Sequence, residues 1–261
     1  MKNNMKTTGK MLALGCGILV ALASCTKGDV NEDLSGGGNL LLVESKVDGK
    51  TRARYEYDGQ NKLAKLYTHD EAGVHTATVT YLYSDDLLSF VEMINVSGDI
   101  EYTESYTYGS DNRPISSKTT FDPQDAENAI NTTYSYPENK VIEKAVVPGG
   151  YTSEVTYTTD DKGNLLAIET SAEGQWASTT TYGDYDNKHA AGRHGNPYRW
   201  KFNSPNNHRS EKTTSTYDGG NLERTLKYTY NNEGYPIKME VYPNDSETAA
   251  ETHEYVYKKA N

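Results

Sequence analysis

The chain has 261 residues, enough for one large domain or two small ones, and 26 basic side chains against 37 acidic ones leave a net charge of −11. That balance excludes nucleic acid as the expected partner, because a phosphate backbone needs a net cationic face. Leu, Ile, Val and Phe make up only about 15% of the residues after position 24, a level that with this charge points to disorder, but all 22 tyrosines lie there too. A folded domain built from this chain must therefore use tyrosine as its main hydrophobe.

Residues 1–24 read as an address. Lys2, Lys6 and Lys10 precede an apolar run from Met11 to Ala23. Thirteen residues of helix span only about 20 Å, short of the roughly 30 Å hydrocarbon core of a bilayer, so the run is a secretory signal and not a membrane span. Leu22-Ala23-Ser24-Cys25 resembles the lipobox of bacterial lipoproteins, which implies cleavage before Cys25 and lipidation of its thiol. Cys16 is the only other cysteine and would be lost with the signal, so the mature chain would hold no disulfide. Stable anchoring needs more than one acyl chain, a condition that a diacylated or triacylated cysteine meets. The remaining 237 residues carry −14. Residues 25–39 then form the lipidated cysteine and a flexible tether, rich in acids and containing Gly36-Gly37-Gly38. Asp29, Glu32 and Asp33, with Lys27 before them, resemble the surface-export signals of Bacteroidetes lipoproteins, and an inward-facing periplasmic location stays open as the alternative. The expected place is the outer membrane, lipid-anchored, on one side or the other.

From Leu40 to the end the dominant feature is Tyr-x-Tyr, at Tyr55/Tyr57, Tyr81/Tyr83, Tyr106/Tyr108, Tyr134/Tyr136, Tyr228/Tyr230 and Tyr255/Tyr257. Degenerate copies at Val155-Thr156-Tyr157, Thr180-Thr181-Tyr182 and Ser215-Thr216-Tyr217 fill the long gap. A period near 25 is too short for a pair of helices and fits a hairpin of two strands and two turns. Spacing by two puts both tyrosines on one strand face. In residues 101–108 that face carries Tyr102, Glu104, Tyr106 and Tyr108, against Glu101, Thr103, Ser105 and Thr107 on the other. Turn residues follow each pair, as in Asp58-Gly59-Gln60-Asn61, Gly109-Ser110-Asp111-Asn112 and Asn231-Asn232-Glu233-Gly234. Return strands then begin near Leu63, Pro114, Leu165 and Ile237. The pattern predicts an all-β antiparallel hairpin meander of roughly 14 to 18 short strands. Adjacent strands rotate by about −20 to −25°, so so wide a sheet must roll. We expect one large curved sheet with its tyrosine face inward, as an open barrel or half-barrel, with a two-sheet sandwich as the alternative.

Tyr57-Asp58 with Asn61 and Leu63, Asp161-Lys162-Gly163-Asn164-Leu165 and Tyr217-Asp218-Gly219-Gly220-Asn221-Leu222 resemble the Tyr-Asp repeat of Rhs-type proteins. Tyr185-Asp186-Asn187-Lys188 and Asn196-Pro197-Tyr198 bring the chain closer to short Bacteroidetes lipoproteins built of such degenerate repeats, a family of unknown function. The resemblance covers most of residues 40–261. It implies a curved β-repeat sheet and an envelope location, with no activity attached, and the chain has too few repeats to enclose a cargo as the large Rhs proteins do.

The repeat is interrupted once, by a loop at 183–211 that holds His189, His194, His208, Tyr185, Tyr198, Trp200 and Phe202. Long loops in compact domains are often functional, though an ordinary surface insertion stapled down by its own aromatics is the plainer reading. A glycan site would stack sugar rings on Trp200, Tyr198, Tyr185 or Trp176, with planar amides turned to hydroxyls. A metal site would use His189, His194 and His208 with Asp186, but the spacing matches no zinc motif, so no metal and no cofactor is expected. There is no nucleophile elbow, no His-Glu-x-x-His and no phosphate loop, and adjacent acids such as Asp85/Asp86 are solvated turns, so an enzyme is not expected. What remains is a lipid-anchored binding or scaffold module, its partners being the membrane through the lipid and either a polysaccharide or another envelope protein. A structural or assembly subunit of an envelope complex is the alternative.

Overall fold

The computed structural model describes residues 40–122, 126–173, 176–216, 220–244 and 246–261, less the side chains of Ala126 and Trp176. The signal, Cys25 and the tether lie outside the described residues. Sixteen strands follow one another: β1 (Leu40–Val47), β2 (Lys50–Tyr57), β3 (Leu63–His69), β4 (His75–Ser84), β5 (Leu87–Asn95), β6 (Ile100–Tyr108), β7 (Pro114–Thr120) and β8 (Ile130–Ser135) make the first half. The second half is β9 (Lys140–Val146), β10 (Thr152–Thr159), β11 (Leu165–Ala172), β12 (Trp176–Gly183), β13 (Ser210–Ser215), β14 (Asn221–Tyr230), β15 (Pro236–Pro243) and β16 (Glu251–Lys259). Every strand pairs antiparallel with its sequence neighbours, and β1 pairs with β16 over Leu40↔Lys259 to Val47↔His253. The sheet rolls as the pattern demands, and it goes further than an open barrel: it closes. Closure removes both free edges, which a two-sheet sandwich or half-barrel would leave exposed.

The alternation read from the sequence sets the two faces. Val91, Tyr81, Tyr134, Tyr157 and Leu226 face the lumen and are buried, while their neighbours one residue away face out. Outward mid-strand positions on β2, β3, β7, β9, β13 and β14 carry exposed cations: Arg54, Lys65, Lys118, Lys144, Lys212 and Lys227. A cation on the lipid face of a barrel costs about 2–4 kcal/mol at the bilayer midplane and about 0–1 kcal/mol near the interfaces, so these positions are unfavourable in lipid.

Several turns share one template. Asp58 Oδ1 accepts from the Gln60 and Lys62 amides at 2.8 and 2.9 Å, and Asn61 takes a φ of 62°. Asp160 with Gly163, and Asn231 with Gly234, repeat the arrangement. Asx side chains bond forward to their own backbone, and Asn or Gly accepts the left-handed residue.

The second tyrosine of five of the six pairs, all but Tyr230, has a further task. Tyr83 Oη donates to Leu63 O at 2.9 Å, Tyr108 to Leu88 O at 2.8 Å, Tyr136 to Pro114 O at 2.7 Å and Tyr257 to Pro236 O at 2.8 Å. Tyr57 reaches Leu42 O and Tyr185 reaches Leu165 O in the same way. Each acceptor sits directly before a bulged residue (Val43, Ala64, Ser89, Ile115, Leu166 and Ile237), where the strand register shifts by one. A bulge takes the neighbouring carbonyl out of the ladder, and the tyrosine of the next hairpin satisfies it. The repeat is thus a chain of latches from hairpin to hairpin, which is why a hydroxyl-bearing ring recurs where Phe would fill the same space.

All these latches lie at one end of the barrel. That end also holds the long β12–β13 connection, Leu40 and the C-terminus, where Asn261 and Asn61 bond to each other. The opposite end carries the β1–β2, β3–β4, β5–β6, β7–β8 and β9–β10 turns.

Candidate functional site

Sixteen strands enclose a lumen wide enough for a channel. Here residues 184–209 enter it from the latch end and act as a plug, which corrects the picture of a surface insertion. The base of the plug is Asp186, whose Oδ1 accepts from the Asn207 and Lys188 amides at 3.1 and 2.9 Å and whose Oδ2 accepts from Tyr230 Oη. Asn207 Nδ2 donates to His189 O at 2.9 Å. Ser204, fully buried, accepts the Leu165 amide at 2.8 Å, so both backbone groups of Leu165 freed by its bulge are engaged by the plug region.

The tip is a compact turn. Asn196 Oδ1 accepts the Tyr198 amide at 2.9 Å and its Nδ2 donates to Phe202 O at 3.1 Å. Tyr198, Trp200 and Phe202 then fan across the lumen. Tyr198 meets Tyr81 edge-on at 6.2 Å, Trp200 meets Tyr106 at 5.2 Å and Tyr108 at 6.3 Å, and Phe202 packs on Tyr157 at 5.2 Å. Aromatic pairs at these separations contribute beyond their buried area. Gly195, at a φ of +89°, lies so close to β2 that a Cβ would sit 2.3 Å from Tyr57 Cε1.

Between these rings Lys201 Nζ pairs with Glu143 Oε1 at 2.8 Å, with the Tyr157 hydroxyl 3.4 Å from the same carboxylate. Burial pulls the Lys201 pKa down, but Glu143 and the hydroxyls of Tyr157 and Tyr134 outweigh it and hold the ammonium charged. Burial raises the lumen tyrosines, Tyr102 to about 12 and Tyr81, Tyr106 and Tyr198 further, so they stay neutral hydrogen-bonding groups.

The three histidines named for a metal do not converge. His189 stacks on Tyr235 at 4.5 Å with His194 tilted against the same ring at 6.1 Å, whereas His208 sits edge-on to Tyr182 at 4.8 Å. Burial lowers His194 and His208 to about 4, so both are neutral packing groups at neutral pH. Among the described residues no group of three His, Cys, Asp or Glu is placed to hold a metal ion, and Asp186 is engaged by the plug's own backbone. Of the residues named for sugar stacking, Tyr185 is a latch, Tyr198 and Trp200 are inside the lumen, and the Trp176 side chain lies outside the described residues. Trp200 keeps a buried indole N–H with no hydrogen-bond partner.

Sequence reasoning missed Lys201, Glu143, Ser204 and Gly195. Nothing local in the sequence marks them, since Tyr198, Trp200 and Phe202 are equally the aromatics that would staple a surface loop to the sheet.

Neither a protein-family model nor a curated protein matches the sequence. Solved structures do. A porin-like protein from Bacteroides uniformis ATCC 8492 superposes with a TM-score of 0.54 at 16% identity, over 82% of this chain and 91% of that one. A porin-like protein from Bacteroides vulgatus ATCC 8482 gives 0.46 at 12% identity, over 84% and 99%. The likeness to the first is one of fold.

Proposed function

We propose that the chain is a lipid-anchored, non-enzymatic binding or scaffold module of a bacterial cell envelope. The observation that carries this reading is the polarity of the barrel: charges outside, tyrosines inside, and a plug across the lumen. A porin needs an apolar outer belt and an aqueous passage. This wall is unfavourable in lipid, and Trp200, Lys201 and Phe202 occupy the passage, so the shared fold does not carry conduction with it. The lipobox-like Leu22-Ala23-Ser24-Cys25 supplies the attachment the wall lacks. Because Leu40 leaves from the plugged end, attachment through Cys25 sets that end toward the lipid and the opposite rim toward water. Closure leaves no free edge for strand addition, so an assembly role would run through side-chain surfaces.

Fractionation tests the reading. Wild-type protein is expected in the membrane pellet, and the Cys25→Ala variant in the detergent-free supernatant with a β-type far-UV spectrum. A Cys25→Ala protein that still requires detergent would overturn it. One refinement is a sugar taken up at the plug, where the buried indole N–H of Trp200 has no hydrogen-bond partner. Retention on a glycan array by the full chain, lost in Trp200→Ala, supports that refinement, and no retention by the wild type removes it.

A further inference from the structure

Among the described residues, which leave out the Trp176 side chain and Tyr217, the rim opposite the plug is unequal around its circumference. Val74, Val96, Ile100, Phe121, Val146 and Tyr151 are exposed there, with Val74 at 60%, Val96 at 63% and Tyr151 at 59%. They belong to the β3–β4, β5–β6, β7–β8 and β9–β10 hairpins, four neighbours in an unbroken run of strands. Among the described residues, the turns β1–β2, β11–β12, β13–β14 and β15–β16 that complete the rim expose no large apolar side chain. Single exposed hydrophobes need no explanation, but six gathered on one arc of the rim mark a contact surface.

The charge of that arc narrows what fits it. Residues 70–74, 95–101, 121–122, 127–129 and 146–151 contain no Lys or Arg, yet include Asp70, Glu71, Asp99, Glu101, Asp122 and Glu127. Two copies meeting through this surface would bring like charges together, and an anionic lipid surface would be repelled. The tether's departure from the other end also turns the arc away from the membrane. We propose that this arc docks a basic protein segment that presents apolar side chains, the aliphatic and aromatic groups seating on Val74, Val96 and Tyr151 while its cations face the acids. The orientation rests on the anchored-module reading above; the surface itself does not. Complementary charge would speed the encounter and set specificity, with the apolar contacts holding the complex.

The probe is a synthetic amphipathic peptide of alternating Leu and Lys, compared with its Leu/Glu counterpart, titrated into the full chain by fluorescence anisotropy. The Leu/Lys peptide is expected to bind at least tenfold more tightly. Val74→Ser/Val96→Ser/Tyr151→Ser should lose at least tenfold, whereas Ile115→Ser/Ile237→Ser, which removes exposed apolar groups at the plug end, should leave affinity unchanged. Equal binding of both peptides, or equal losses in the two variants, would overturn the proposal. So would sedimentation of the wild type as a dimer that the rim variant abolishes, or rim-dependent retention on phosphatidylglycerol vesicles, since a second copy or a membrane would then be the occupant. Failure of the anchored-module reading would show instead in fractionation, which the rim variant leaves untouched.

Discussion

Removing one half of the Lys201–Glu143 pair should cost more than removing both. The ammonium and the carboxylate lie 2.8 Å apart with side chains 19% and 11% exposed, so both are largely withdrawn from water. Breaking such a pair from one side leaves an uncompensated buried charge and typically costs about 3–5 kcal/mol, while replacing both partners by neutral groups of similar volume is often close to neutral. We therefore expect Lys201→Met to destabilise by about 3 kcal/mol, Glu143→Gln by a similar amount, and the double variant by about 1 kcal/mol. That is a coupling of several kcal/mol, read by urea denaturation followed by far-UV signal. For a chain of this size the single variants should also lower Tm by about 6–12 °C. Additive single effects, with coupling below about 0.5 kcal/mol, would mean that the plug tip does not reach β9, and the lumen assignment would fail.

Three other outcomes follow from the same geometry. Gly195→Ala must place a Cβ 2.3 Å from Tyr57 at a φ of +89°, whereas Gly234→Ala at +83° meets nothing closer than 3.6 Å; thermal unfolding should show the first variant losing about 1–3 kcal/mol more than the second. Tyr83→Phe and Tyr108→Phe each leave a bulge carbonyl without its donor and should cost about 1 kcal/mol, additively, since each latch joins a different hairpin; no loss in either would mean that the hydroxyls are solvated. His208, lowered to about 4 by burial, binds a proton in the unfolded chain before it does in the folded one. Its contribution, of order 3 kcal/mol, is full above pH 6.5 and lost as pH falls toward 4, and a His208→Gln variant should flatten that slope in denaturation measured from pH 7 to 4.

The architecture was largely legible because tyrosine declares both a face and a period: Tyr-x-Tyr placed the lumen side, and Asp58, Gly109 and Asn231 placed the turns. Closure was not legible, since whether β1 meets β16 depends on accumulated twist and on bulges at Val43, Ala64 and Ile115 that leave no local signature. The loop was recognised as exceptional, and its aromatics were singled out, but a segment rich in Asn, Gly and His reads the same whether it lies on a surface or threads a lumen. Lys201 shows why. A lysine in a polar loop is ordinarily solvated, and only the position of Glu143 across the barrel makes it a buried cross-link.

The account stands most directly on where Trp200 is. The chain has two tryptophans, so Trp176→Phe leaves Trp200 as the sole indole. Its emission should be blue-shifted and poorly quenched by acrylamide in the folded protein, and should become red-shifted and freely quenched in Gly195→Ala as the tip is displaced. Red-shifted, freely quenched emission from the folded Trp176→Phe protein would put the loop on the surface and contradict the plugged barrel.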